Sequence, residues 1–252
     1  MTKTVLITGA SSGIGKEFAH LYAKEKANLV LVSRSRSTLL ALKQELEKQY
    51  ECQVRILVQD IAQEGSAAII HTKIPVIDVL INNAGIGDFG ALVEKPVKTI
   101  SAMLQLNMVS LTQLCMLYGK DFKTRKSGMI LNVSSVVAFA PIPYFATYSA
   151  SKAYVLSLSQ ALAAELSEFN VQVTCLCPGQ TKTNFFNVAG QSKESGKGMS
   201  ARTVALIGKR ALEQRKTVII AGAHNKAFAF AQRFLSRKMV LQIVKKMMKR
   251  IM

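Results

Sequence analysis

At 252 residues, with 49% hydrophobic and 19% charged residues, the chain is long enough for one sizeable α/β core and too apolar to be a disordered tail protein. Fifteen Gly and five Pro, with no repeat or low-complexity tract, exclude collagen-like, solenoid and linker-dominated architectures. The net charge of +18 is uneven: residues 195–252 hold fourteen basic residues and one acid, Glu213, and so carry +13 of it. An anionic partner, whether nucleic acid or membrane, would therefore meet the last quarter of the chain.

Short apolar runs at 4–8, 29–33, 54–58, 79–82, 129–133, 171–177 and 218–221 predict seven strands. Between them, apolar residues at helical spacing over 15–26, 38–49 and 149–169 predict helices. This alternation predicts right-handed βαβ units and a single-domain, doubly wound parallel sheet of the Rossmann type, with helices on both faces and ligands at the carboxyl ends of the strands. Residues 184–198, rich in Gly, Ser and Lys, read as a loop over that edge, with a helix beginning near Ser200.

Two uncharged stretches, 99–119 and 127–151, are long enough to span a bilayer. The second holds Asn132, Pro141 and Pro143 and reads as a buried strand followed by a loop. The first reads as an apolar helix wedged between sheet and helix or between subunits. Neither is expected to cross a membrane, because internal polar groups are costly in hydrocarbon. Cys52, Cys115, Cys175 and Cys177 are not at disulfide or zinc spacing, so no metal is expected and free thiols in a reducing cytoplasm are. No charged-then-apolar leader precedes the first strand, so no secretory signal is expected.

That first strand runs into Thr8-Gly9-Ala10-Ser11-Ser12-Gly13-Ile14-Gly15 and then a helix. A pyrophosphate there would meet unpaired backbone amides and the positive end of the helix dipole, with glycines permitting close approach. The three residues between the first two glycines differ from the usual dinucleotide fingerprint. That spacing resembles the short-chain dehydrogenase/reductase family, and the resemblance runs from Thr4 to about Ala223. Asp60, with Ile61 beside it, matches the family's adenine-side acid. Asn82-Asn83-Ala84-Gly85 matches its motif closing the fourth strand, and Asn107 its helix-borne Asn. Ser135 and Tyr148-Ser149-Ala150-Ser151-Lys152 match its catalytic centre, and Pro178-Gly179 with Thr181 and Thr183 its nicotinamide-side turn. Within the family the chain looks most like the branch of long-chain 3-oxoacyl and steroid-type reductases.

The resemblance implies an acid/base Tyr148, a cation at Lys152 that lowers the phenol's pKa and holds the nicotinamide ribose, a Ser135 hydrogen bond to the substrate oxygen, and a proton path anchored by Asn107. Lys152 follows Tyr148 by four residues and so shares its helix face. Read as isolated residues, Tyr and Lys at this spacing make a surface pair, a Ser after a strand caps a turn, and an Asn in an apolar helix satisfies a carbonyl. Ser134 is the alternative to Ser135. About twenty residues beyond the glycine turn, where NAD-preferring enzymes place an acid, stand Ser33 and Arg34, so NADP(H) is the expected cofactor. Residues 139–145, Phe185 and Phe186 line an apolar pocket or pack in a core or subunit contact.

Residues 1–223 are thus expected to form the dinucleotide-binding and catalytic domain, with 184–199 as a substrate loop and 224–252 as a basic amphipathic helical segment. The expected activity is NADPH-dependent reduction of a hydrophobic, 3-oxoacyl-like ketone, or the reverse oxidation, by a cytoplasmic homodimer or homotetramer. The alternative is a non-enzymatic NADP-binding interaction protein. Nucleic-acid binding is not expected, for want of a recognition motif. In the tail, Phe228, Ala231, Phe234 or Leu235, Leu241, Val244, Met248 and Ile251 recur at helical spacing. That stripe either packs on protein or enters an anionic membrane surface while Gln242, Lys245, Lys246, Lys249 and Arg250 meet headgroups.

Overall fold

In the computed structural model residues 2–191 and 197–249 are described, so residues 192–196 of the expected substrate loop and 250–252 of the tail lie outside the described residues. The strands are β1 (Thr4–Thr8), β2 (Asn28–Ser33), β3 (Val54–Val58), β4 (Val79–Asn82), β5 (Gly128–Val133), β6 (Val171–Cys177), β7 (Thr181–Lys182), β8 (Met199–Ser200) and β9 (Val218–Ile220). The helices are α1 (Gly13–Lys24), α2 (Arg36–Gln49), α3 (Ser66–Lys73), α4 (Val97–Leu104), α5 (Leu111–Arg125), α6 (Ala146–Ser167), α7 (Phe185–Val188), α8 (Ala201–Glu213), α9 (Ala223–Ala231) and α10 (Arg237–Lys249).

Seven strands form one parallel sheet in the order β3-β2-β1-β4-β5-β6-β9. The chain reverses direction across the sheet between β1 and β4, which makes their carboxyl ends the switch point of a doubly wound, Rossmann-type fold. All seven predicted strands are present within a residue or so. Their inner members are mostly apolar because both faces are covered, and buried polar exceptions such as Asn132, Gln172 and Thr174 are hydrogen-bonded. Along β1, Val5 and Ile7 face α1, α2 and α8, while Leu6 faces α3, α5 and α6. The two-residue β7–β8 ladder is an addition to the expected fold.

The uncharged helix over 99–119 belongs to a continuous helical run, Val97–Arg125, that is long and apolar enough to cross a membrane. Leu111, Leu114, Cys115, Tyr118 and Phe122 on it are buried in the core against the sheet, so this run is a wall of the core. At its centre, Gln105–Ser110 widens to a π-helix. Such insertions re-aim a side chain, and Asn107 sits there, buried.

The tail is two helices rather than one. A turn over 232–236 resets the helical phase, so the buried stripe of α10 is Val240 and Val244, with Met248 partly buried, whereas Phe234 and Leu241 are exposed. Val240 and Val244, with the partly buried Phe228, Leu235 and Met248, join Met103, Ala140, Ile142, Phe145, Tyr148 and Ala189 in a third apolar cluster above the carboxyl edge of the sheet.

Candidate active site

Strand β1 leads into a turn whose backbone only glycine fits well. Gly9 and Gly13 have φ of +64° and +55°, and a Cβ on Gly15 would lie 2.3 Å from the Gly9 carbonyl oxygen. The turn is tied to the end of β4: Asn83 Nδ2 donates to the carbonyls of Thr8 (3.0 Å) and Gly9 (3.2 Å). In return, Thr8 Oγ1 accepts from the amides of Asn83 and Ala84, each at 3.0 Å. Helix α1 begins here with no acid in its first turn and no side-chain cap from Ser12. Its first amides therefore point at the turn with the positive end of the dipole.

From this turn a cavity of about 690 Å³ runs along the carboxyl edge. Gly9, Ser11, Ser12, Gly13 and Ile14 line one end, with Ser33, Arg34, Asp60 and Ile61 beside them. Asn83, Ala84 and Gly85 line its middle, and Ser135, Tyr148, Lys152, Pro178, Gly179, Thr181 and Thr183 the far end. Gly15 and Asn107 lie behind the wall. The one presses on Gly9, and the other accepts from the Ile86 amide (3.0 Å), donates to its carbonyl (2.8 Å) and donates to Ser151 Oγ (3.2 Å). Ser33 Oγ is buried without a hydrogen-bond partner, next to the exposed Arg34 guanidinium. A buried orphan hydroxyl beside a cation fits an anionic ligand group.

At the far end, α6 carries Tyr148 and Lys152 on one face and Ser135 caps the turn after β5. Ser135 donates to the Pro178 carbonyl and accepts from the Val137 amide, both at 3.3 Å. Ser134 is committed elsewhere, donating to the Lys152 carbonyl at 2.7 Å. Lys152 Nζ donates to the Val133 carbonyl at 2.9 Å and lies 5.6 Å from the Tyr148 ring centre. Burial pushes the Tyr148 phenol well above its ordinary value, against the opposing influence of Ser135. It pushes Lys152 down to about 8, against the pull of Cys175 and Cys177. The expected lowering of the phenol by Lys152 is not seen: Lys152 does not act on the phenol in this arrangement, because its ammonium is directed at the Val133 carbonyl.

The substrate end is aromatic. Phe145 and Tyr148 have ring centres 4.4 Å apart, and Tyr148 and Phe185 5.3 Å. Of residues 139–145, Ile142 and Phe145 line the cavity, as do Phe185 and Phe186, while Ala140 is buried beside them. Sequence reasoning missed Phe89, Leu106, Phe228 and Met247 as lining residues. Phe89 had a usable signal, four residues past Gly85 in the loop leaving β4, where such sheets hold ligands. Phe228 and Met247 reach the site only through the fold of the tail.

A model of the short chain dehydrogenase family matches residues 3–194. The chain belongs to the short-chain dehydrogenase family. Among its relatives, a very-long-chain 3-oxoacyl-CoA reductase of Phaeosphaeria nodorum is 35% identical over 179 residues, 68% of this chain and 52% of that protein. The chain spans about half the length of the long-chain reductases it matches. A short-chain dehydrogenase from Sphingobium yanoikuyae in complex with NADPH superposes with a TM-score of 0.86 at 34% identity, covering 91% of each chain. The bulky-bulky ketone specific alcohol dehydrogenase from Comamonas testosteroni superposes with a TM-score of 0.80 at 30% identity, covering 92% of each. The family resemblance read from the glycine turn and the Ser, Tyr and Lys positions therefore holds.

Proposed function

We propose that the protein is an NADP(H)-dependent carbonyl reductase, reversible as an alcohol dehydrogenase, acting on a hydrophobic ketone of 3-oxoacyl-like character. The observation that carries this reading is that Ser135, Tyr148 and Lys152 meet an aromatic compartment in the same cavity that begins at the glycine turn. NADPH-bound and ketone-specific relatives of similar fold support it.

When bound, the dinucleotide supplies the hydride. Its pyrophosphate would lie on the amides of the Gly9–Gly15 turn, its 2′-phosphate against Ser33 and Arg34, and its adenine side near Asp60 and Ile61. Asn83, Ala84, Gly85, Pro178, Gly179, Thr181 and Thr183 would hold the nicotinamide half, with Lys152 on its ribose. Ser135 Oγ would turn from the Pro178 carbonyl, a long and weak bond at 3.3 Å, to donate to the substrate oxygen, and Tyr148 Oη would deliver its proton there. The raised phenol pKa keeps the proton on Tyr148 Oη at neutral pH, the state from which reduction starts. Asn107, linked to Ser151 behind Lys152, serves as a positioning residue. Phe89, Phe145, Phe185 and Phe186 exclude water and select an apolar substrate.

Consumption of NADPH absorbance across aliphatic, 3-oxoacyl and steroid ketones is the decisive experiment. Turnover of hydrophobic ketones is expected, and silence across all three classes would return the chain to the alternative of a non-enzymatic NADP-binding protein.

The same proposal covers assembly and place. A homodimer or homotetramer would use the uncharged surface at Val109, Met116 and Tyr154, all exposed on the π-helix, α5 and α6. Peripheral contact with an anionic membrane would use the basic tail, where each cation near the surface adds about 1 kcal/mol.

A further inference from the structure

Helix α10 has two apolar stripes a quarter-turn apart. Val240 and Val244 are buried in the cluster that surrounds Tyr148, and Val244, Met247 and Met248 line the cavity. On the outer side Met239, Ile243 and Met247, spaced four apart, are 49%, 47% and 53% exposed. Met247 belongs to both sets, so the outer stripe borders the mouth of the cavity, where Val188 is also exposed. Helix α9 adds Phe230 and the turn after it Phe234, exposed rings 5.2 Å apart. Exposed Lys226, Arg233, Arg237, Lys238, Lys245 and Lys246 surround these residues, and no acid follows Glu213.

Building on the membrane contact and reductase activity of the preceding section, we propose that α10 is a shared wall. Its outer stripe docks on an anionic bilayer, and its inner stripe encloses the substrate compartment, so that long-chain ketone passes from lipid into the cavity beside Met247. Charge and polarity select this occupant. A second copy would present the same cations and repel, and a polyanion such as nucleic acid would leave a row of Met, Ile and Phe without an apolar phase. A bilayer of anionic lipid satisfies both features, with the apolar side chains at the acyl boundary and the lysines among headgroups. The rim of the cavity then opens where the substrate is most concentrated.

The test uses the full chain and three readouts. Flotation is measured with phosphatidylglycerol and with phosphatidylcholine vesicles, turnover with a short water-soluble ketone, and turnover with a long-chain ketone dissolved in each vesicle. Wild type is expected to float with the anionic vesicles, to lose that association at high salt, and to reduce the embedded ketone at least about tenfold faster there than in neutral vesicles. The double variant Met239→Glu, Ile243→Glu, which spares the cavity lining, is expected to keep its rate on the soluble ketone and lose both flotation and the anionic enhancement. Lys245→Glu with Lys246→Glu is expected to do the same. No flotation of wild type overturns the docking, and lost flotation with full turnover of embedded ketone overturns the route while leaving docking intact. A drop in solution mass on Met239→Glu, Ile243→Glu would assign the stripe to a subunit contact and overturn the lipid occupant. Absence of turnover on the soluble ketone would overturn the reductase reading itself.

Discussion

Tyr148 and Lys152 occupy a setting in which burial opposes charge on both, and this gives the site a measurable signature. Replacing Tyr148 by Phe removes one oxygen from a packed ring, so NADPH affinity and melting temperature are expected to stay near wild type while turnover falls by at least about a thousandfold. Turnover within a few-fold of wild type would remove Tyr148 from the chemistry. Lys152 binds its proton less tightly in the folded chain, at about 8 against an ordinary 10.5. Between those values the unfolded chain holds more protons, so this residue's contribution to stability rises as pH increases through that window. Lys152→Met should therefore melt above wild type at pH 7, with the gap closing as pH approaches 10. A gap independent of pH would show that Lys152 is not held as a buried cation. The sequence revealed these residues by type and interval. It could not reveal that Lys152 Nζ turns to the Val133 carbonyl or that the Phe185 ring packs at a tilt against Tyr148, since both depend on contacts between separate segments of the chain.

Among the elements, the strands were the most legible part of the chain. A strand buried on both faces must be largely apolar, and β1, β2 and β4 write that constraint plainly, while β6 admits Gln172 and Thr174 among its apolar residues. The β7–β8 ladder has two residues per strand, too few to carry a period, and the π-helix at Gln105–Ser110 has no signature of its own. The phase of α10 was obscured by the turn before it, which breaks the register shared by Phe228 and Val244. Packing at α5 gives a paired prediction. A Cβ at Gly128 would meet Phe122 ring atoms at 2.1 Å, whereas one at Gly119 would rest 3.7 Å from Leu166 Cδ1. Gly128→Ala should thus lose about 1–3 kcal/mol through overpacking, and Gly119→Ala, mid-helix with room for the methyl, should gain up to about 1 kcal/mol. Urea unfolding of both variants checks the pair, and a neutral Gly128→Ala would contradict the contact. Val244→Ala removes two methyls from the wall that α10 builds and should cost about 2 kcal/mol. It should also raise KM for bulky ketones at unchanged NADPH affinity, read from parallel kinetics and fluorescence titration.

For the whole molecule, ligand binding and stability are linked. NADPH at a hundred times its Kd should stabilise the fold by about 2.7 kcal/mol, a rise of roughly 5–10 °C in melting temperature for a chain of this size. NADH at the same concentration should shift it less, and Ser33→Asp with Arg34→Ala should reverse the order. Equal shifts in wild type would reject the preference for the 2′-phosphate. The two ends of the cavity are also built differently. At the cofactor end, Thr8 and Asn83 cross-brace two strand termini, and glycines at Gly9 and Gly15 leave no room for a methyl group. At the substrate end the walls are a four-residue helix, α7, and the helix α10, neither of which is hydrogen-bonded to the seven-stranded sheet among the described residues. Mutational tolerance should follow this gradient. Laboratory selection for new ketones would accumulate substitutions in α7 and α10 and almost none between Gly9 and Gly15, so that one cofactor engine can be refitted to many substrates by exchanging its walls.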